Sequence, residues 1–290
     1  VLQSLLKLAR PGHWIKNSVV LAALFFAGVA SDRKSVLLAL AAAGVFCLLS
    51  SAIYTLNDII DREQDRNHPL KKTRPLATGE ISVARATIFF VTLAILGFLG
   101  AWLIGRHLFV ISALFFLLNV LYSFWLKHVV ILDVMAIALG FVFRAYAGAA
   151  AIEVPASKWM LINTLFLALF LGFGKRRHEL LLLDENAAAH RKILDKYSPY
   201  LLDQLIGVVT ATVVVIYMLY TISTEVSEKL GTEYLYFTVP FVVYGVFRYL
   251  YLIHKEDEGG SPTRLLISDK PLLIDVILWL IIVILILYWL

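Results

Sequence analysis

The chain has 290 residues, of which 60% are hydrophobic and 16% charged, with a mean hydropathy of +0.82 and a formal net charge of +5. A soluble domain carries charge at about a quarter of its positions, so these values exclude one and indicate an all-α polytopic membrane protein. The one cysteine, Cys47, excludes disulfides and cysteine-based metal sites and reads as a core or lipid-facing residue.

Nine stretches are apolar and long enough for a hydrocarbon core of about 30 Å: 16–30, 35–57, 82–104, 107–126, 129–151, 157–174, 203–222, 234–253 and 271–290. About nine transmembrane helices are therefore expected, in a single transmembrane domain covering 1–290. The first span is short and follows ARPGHWIKN, where Arg10 and Lys16 flank an amphipathic approach. That approach reads as a membrane-surface anchor or as a lid over a lipid-phosphate site. The second span contains the small-residue run Ala39 to Gly44, and the fifth contains Ala145, Ala147, Gly148, Ala149, Ala150 and Ala151. Both runs permit close backbone approach between helices. Trp14, Trp102, Trp125, Trp159 and Trp289 fall near span ends and read as headgroup-level anchors. No segment shows the pattern of a cleaved signal peptide.

Positive charge is sorted by side. With the N-terminus in the cytoplasm, the opposite face holds Arg33, Lys34, Arg106, Lys158 and Lys229, while Arg144 and Arg248 fall within spans. The remaining Lys and Arg lie on the inner face, including Lys175, Arg176, Arg177, Arg191, Lys192 and Lys196 after the sixth span and Lys255, Arg264 and Lys270 before the ninth. The positive-inside rule then places the N-terminus in the cytoplasm. Short interhelical loops facing anionic lipid account for the basic balance, so no nucleic-acid partner is expected.

The second span ends in AIYTLNDIIDREQDRNHPLKKTRPLATG. At about 100° per residue, Asn57, Asp58, Asp61 and Asp65 share roughly a quarter of the circumference if the helix continues through them. Three carboxylates that close repel unless a cation sits among them, and oxygen-only ligands suit Mg²⁺, which usually also holds a phosphate. A solvated helix end with the acids paired to Arg62 and Arg66 is the structural alternative. Lys71, Lys72 and Arg74 follow directly, so phosphate-binding groups neighbour the acids.

The sixth span exits into GFGKRRHELLLL, with Lys175 and Glu179 one helical turn apart. Positive-inside anchoring would explain Lys175 to Arg177, whereas Glu179 and His178 beside them favour a site. Within the fifth span, Asp133 and Arg144 are separated by about 16 Å of helix and cannot pair directly. Each needs another partner or a hydrated cavity, although interface solvation could serve Asp133.

At this point the residues carry a resemblance. The run Asn57, Asp58, Asp61, Asp65 followed by Lys71, Arg74, Pro75 and Leu76 resembles the first aspartate-rich motif of the UbiA superfamily of intramembrane prenyltransferases, over essentially the whole chain. The resemblance implies a UbiA-like helical bundle with a cytoplasmic-side active site, binding Mg²⁺ and a substrate pyrophosphate. The family's second aspartate-rich motif follows the sixth helix. Here that place reads Gly174, Lys175, Arg176, Arg177, His178, Glu179, which argues against a two-metal prenyl-diphosphate site. This departure resembles the decaprenyl-phosphate phosphoribosyltransferase branch. So do Arg10, Pro11, Trp14, Lys16 and Asn17, the run from Asn57 through Asp65 and Arg66 to His68 and Pro69, and Gly174, Lys175, Arg176, Glu179 and Leu180. Shorter similarities are Tyr122 with Lys127 and His128, Arg144 with Ala145, Ala147 and Gly148, Pro155 to Trp159, and Arg248 with Tyr249.

The branch implies transfer of 5-phosphoribose from phosphoribosyl pyrophosphate to a polyprenyl (decaprenyl-type) phosphate, for cell-envelope arabinose precursor synthesis in a bacterial inner membrane. On that implication Asn57, Asp58, Asp61 and Asp65 hold Mg²⁺, and Asp58, Asp61, Asp65 and Glu179 are catalytic. Lys16, Lys71, Arg74, Tyr122, Lys127, Arg144, Lys175 and Arg176 then bind substrate. A conventional UbiA-type aromatic prenyltransferase and a transporter of an anionic solute with Arg144 as ligand are the other readings. A homo-oligomer stays open.

Overall fold

The computed structural model describes residues 2–67, 71–181, 193–255, 260, 265–266 and 268–289. His68, Pro69, Arg191, Lys192 and Arg264, named above, lie outside the described residues. Among the described residues every regular element is helical. The chain forms two compact units, Val1–Leu161 and Ile162–Leu290.

The first unit contains α1 (Leu2–Ala9), a 3-10 helix (Pro11–Leu21), α2 (Ala22–Phe26), α3 (Arg33–Ile60), α4 (Arg62–Asn67), α5 (Pro75–Thr78), α6 (Val83–Ile104), α7 (Arg106–Phe124) and α8 (Leu132–Ala151). α9 (Lys158–Leu181) begins there and continues into the second unit, which adds α10 (Pro199–Thr221), α11 (Thr224–Leu230), α12 (Val239–Lys255) and α13 (Lys270–Trp289). Eight helical stretches among the described residues are long and apolar enough to cross a membrane: α3, α6, α7, α8, α9, α10, α12 with the 3-10 turn before it, and α13.

The first predicted span takes another form. Arg10 adopts a left-handed conformation (φ 51°, ψ 62°) that stops α1, and Pro11 opens the 3-10 helix that precedes the five-residue α2. Proline at this position fixes φ and gives up no intrahelical bond. Eight long stretches and this broken one answer the expectation of about nine.

Small residues set the packing distances, as expected where lipid supplies no hydrophobic drive between helices. A Cβ on Gly148 of α8 would lie 1.9 Å from the Val20 carbonyl oxygen, so only glycine lets the 3-10 helix seat on α8. Gly97 of α6 similarly receives the Leu49 side chain of α3. Between these contacts Val20, Ala42, Val45, Phe46, Leu49, Leu108, Phe115 and Ala147 form one buried core, with the Phe46 and Phe115 rings 4.9 Å apart. α6 turns Ile88, Ile95, Leu99, Trp102 and Leu103 outward, as a lipid-facing helix does.

A second cluster positions the polar end of this unit. Leu8 of α1, Leu76 of α5, Ile81 and Ala86 are all buried together. This apolar contact holds both Arg10 and Arg74 within reach of the end of α3.

Candidate active site

α3 ends at Ile60, with Asp61 as its C-cap. The helical hydrogen bonding nevertheless crosses the junction, because Asp61 N donates to Asn57 O at 2.9 Å and Asp65 N donates to Asp61 O at 2.8 Å. The acids therefore keep close to helical spacing despite the break. Asp58 is 2% exposed and Asp65 3%, and burial at that level requires a counter-charge.

Arg74 supplies much of it. Its Nη1 reaches Asp58 Oδ1 at 2.9 Å and Asp65 Oδ2 at 2.5 Å. Arg10 Nη2 reaches the same Asp58 Oδ1 at 2.5 Å. Asp61 Oδ1 accepts from Lys127 Nζ at 2.7 Å, from the 3-10 turn that follows α7. Three carboxylates thus face three cations. Arg62 and Arg66 pair instead with the exposed Glu63, so they do not explain the cluster. The Arg62 hydrogen bond holds the Glu63 carboxyl below its usual range.

The donor set fits a hard divalent cation. All groups offer oxygen, and among the described residues Asp58 Oδ2, Asp61 Oδ2 and Asp65 Oδ1 have no hydrogen-bond partner. In this conformation no group of three His, Cys, Asp or Glu among the described residues is arranged to hold a metal. The Asn57 side chain is half-buried at the same helix end.

A separate polar network surrounds Arg144. This residue is 7% exposed; Nε donates to Asn17 Oδ1 at 2.7 Å, Nη1 to Gly140 O at 3.0 Å and Nη2 to Ser50 Oγ at 3.2 Å. Its guanidinium also lies over the Phe115 and Phe141 rings, 4.6 and 5.2 Å from their centroids. Among the described residues no carboxylate pairs with it. Ser50 and Asp58 are separated by about 12 Å along α3, and residues 10–17 run beside that stretch. Trp14 Nε1 donates to Ser51 Oγ at 3.0 Å, Ser51 Oγ donates to Ala9 O at 2.8 Å, and Asn17 Nδ2 donates to Cys47 Sγ at 3.2 Å. Trp14 is therefore fixed to α3 by its indole, and Cys47 is half-buried under Asn17.

Lys16, Lys71 and Tyr122 are half-buried in the same unit. In the second unit Glu179 joins Arg176, whose Nη1 donates to Oε2 at 2.5 Å, and Lys175, whose Nζ is 3.7 Å from Oε1. Arg176 is 2% exposed. Arg177 is held by Asp203 at 2.6 Å and by Ile253 O at 2.9 Å.

The structure thus unites Asp58, Asp65 and Arg74, pairs Asp61 with Lys127, and places Arg144 in its own network. Arg10 was absent from the expected site residues. The signal available was its place in ARPGHWIKN, but its register against α3 is a tertiary fact.

The profile of the UbiA prenyltransferase family matches residues 18–268. The chain belongs to that family. A relative from Mycolicibacterium smegmatis, decaprenyl-phosphate phosphoribosyltransferase, is 34% identical over 97% of this chain and 91% of its own length. The enzyme of that name from Corynebacterium glutamicum is 33% identical over 98% of this chain and 86% of its own length. In fold, this UbiA-family chain is similar to the structure of a UbiA homolog from Archaeoglobus fulgidus bound to GPP and Mg²⁺, with a TM-score of 0.72 and 20% identity, covering 98% of this chain and 99% of that one. It is an integral membrane protein and an enzyme of the UbiA family.

Proposed function

We propose that this chain is a phosphoribosyltransferase that moves 5-phosphoribose from phosphoribosyl pyrophosphate to a polyprenyl (decaprenyl-type) phosphate, releasing pyrophosphate. The observation that carries this reading is the interleaving of Asp58, Asp61 and Asp65 with Arg10, Arg74 and Lys127. Such a cluster suits a metal-bound diphosphate: carboxylate oxygens for the metal, cations for the phosphates. The cationic exit of α9, with Glu179 as its carboxylate between Lys175 and Arg176, supports a ribosyl over a prenyl diphosphate. The two relatives at 33–34% identity point the same way.

On this reading the acceptor phosphate is already an anion near neutral pH, so no general base is needed. A phosphate oxygen forms the new bond to the anomeric carbon as the bond to pyrophosphate breaks, and in-line displacement inverts that carbon from α to β. The task left to the protein is to hold two anions together against their repulsion. Asn57, Asp58, Asp61 and Asp65 would hold Mg²⁺, with waters completing its shell. Bound there, Mg²⁺ would neutralise charge on the departing pyrophosphate. Arg74, Lys71, Lys127, Lys175 and Arg176 would bind phosphates, Lys16 and Arg144 the lipid phosphate, Tyr122 the substrate, and Asp65 or Glu179 the ribose hydroxyls. Residues 1–290 act as one catalytic domain, with the N-terminus and site facing the cytoplasm of a bacterial inner membrane and the product feeding cell-envelope arabinose precursors.

The test is an assay of the purified protein with radiolabelled phosphoribosyl pyrophosphate and polyprenyl phosphate, with and without Mg²⁺. A lipid-linked ribose phosphate formed only with Mg²⁺ is expected. Metal-independent turnover, or no such product, overturns the reading.

A further inference from the structure

Arg10 sits at the junction of α1 and the 3-10 helix, in a left-handed backbone conformation that an L-residue other than glycine seldom adopts. Backbone outliers of this kind persist where the surroundings over-determine them. Here Ser51 does so from both sides, donating to Ala9 O and accepting from Trp14 Nε1. Asp58 lies two turns further along the same face of α3. The clamp therefore aims the Arg10 side chain at Asp58 while holding the backbone without help from the ion pair.

The ion pair itself is redundant in a telling way. One oxygen, Asp58 Oδ1, accepts from both Arg10 and Arg74. Arg74 is shared with Asp65, and Lys127 is committed to Asp61. Among the described residues Arg10 pairs with Asp58 and no other carboxylate, and the Tyr54 ring lies 5.2 Å from its guanidinium as a second contact surface. Three carboxylates and three cations balance in this conformation. A divalent cation added to that cluster leaves two surplus positive charges, and repulsion favours release of the cation whose departure leaves every carboxylate still paired. That cation is Arg10, because Asp58 keeps Arg74 when it leaves, whereas among the described residues Asp61 pairs with Lys127 alone and Asp65 with Arg74 alone.

We propose that Arg10 is the exchangeable counter-ion of Asp58: it holds the carboxylate while no divalent cation is bound, and turns to the phosphate of the incoming donor once one is. The inference rests on the metal site of the proposed function. It makes Arg10 a competitor of the metal in the donor-free protein and a ligand of the diphosphate in the loaded one.

The test uses the full chain in detergent, with Mn²⁺ as the probe and free Mn²⁺ read by electron paramagnetic resonance. Arg10→Asn removes the charge and keeps a residue that tolerates the left-handed conformation. It is expected to bind Mn²⁺ about fivefold more tightly than wild type, while Arg10→Lys stays near wild type. The Mn²⁺-loaded Arg10→Asn protein is expected to bind inorganic pyrophosphate about tenfold more weakly, the scale of one lost charge-assisted hydrogen bond. Arg10→Gly, which relaxes the backbone, carries the same expectations if the asparagine variant fails to fold. Mn²⁺ affinity that is unchanged or weaker in the charge-removed protein overturns the proposal, and so does unchanged pyrophosphate binding. Neither titration involves ribose or lipid, so a failure of phosphoribosyl transfer and a failure of the exchange are separate results.

Discussion

Gly148→Ala is the sharpest structural perturbation available. The added Cβ would sit 1.9 Å from Val20 O, against an ordinary contact of 3.4–4 Å, so the 3-10 helix must retreat by about 1.5 Å. Val20 is fully buried and its position is shared with the core around Phe46 and Phe115, which leaves no slack. Three residues earlier, Asn17 Oδ1 is 2.7 Å from Arg144 Nε, and a shift of that size breaks the bond. Overpacking costs about 1–3 kcal/mol, and a lost hydrogen bond to a charged group about 1.5–3 kcal/mol. Alanine recovers roughly 1 kcal/mol of helix propensity. A net loss of about 1.5–5 kcal/mol is expected. Unfolding in detergent micelles, followed by tryptophan fluorescence, measures it. Gly44→Ala is the control, because a Cβ there meets nothing within 4 Å and should leave stability unchanged or slightly raised. A Gly148→Ala protein as stable as Gly44→Ala refutes the close approach of the 3-10 helix to α8.

Other outcomes follow from the charged end. Asp61→Asn should lose most turnover in the radiolabel assay while unfolding like wild type, since the Asp61 side chain is only partly buried; near-wild-type turnover removes it from the site. Arg74→Ala strands the Asp65 carboxylate and leaves Asp58 to Arg10 alone, and should cost about 3 kcal/mol in chemical denaturation, with Asp65→Asn added to it restoring part of the loss. Hydrogen bonds from Arg248 hold the Asp269 carboxyl below its ordinary value. A carboxyl whose folded pKa is depressed contributes stability that is present above its unfolded value of about 3.9 and lost as pH falls through the folded one. Asp269→Asn should therefore flatten the acid limb of a stability–pH curve below about pH 4, and an unchanged limb would discount this pair.

Much of the architecture is written in local pattern. Hydropathy marks the spans because length and apolarity are properties of consecutive residues, and the periodicity of Asn57 to Asp65 survives the break at Asp61 because the backbone bonds continue across it. The small residues near Gly148 signal a close approach, yet nothing local says that its partner is Val20. Long-range pairs are harder still. Arg10 and Asp58 are 48 residues apart, and Asn17 and Arg144 are 127 apart. Those pairings decide which cation neutralises which acid, and they depend on how the N-terminal segment registers against α3. The broken first span shows the same limit: its hydropathy suits a membrane helix, while Pro11 and the turn at Arg10 give it a tighter form.

The seam between the N-terminal segment and α3 also contains its own reporter. Cys47 is the chain's sole cysteine, and its sulfur accepts the Asn17 amide from the segment that covers it. A thiol-specific dye applied to the unmodified protein therefore reads the lifting of residues 10–17 from α3 as a labelling rate, with no engineered cysteine and no second thiol to confuse the signal.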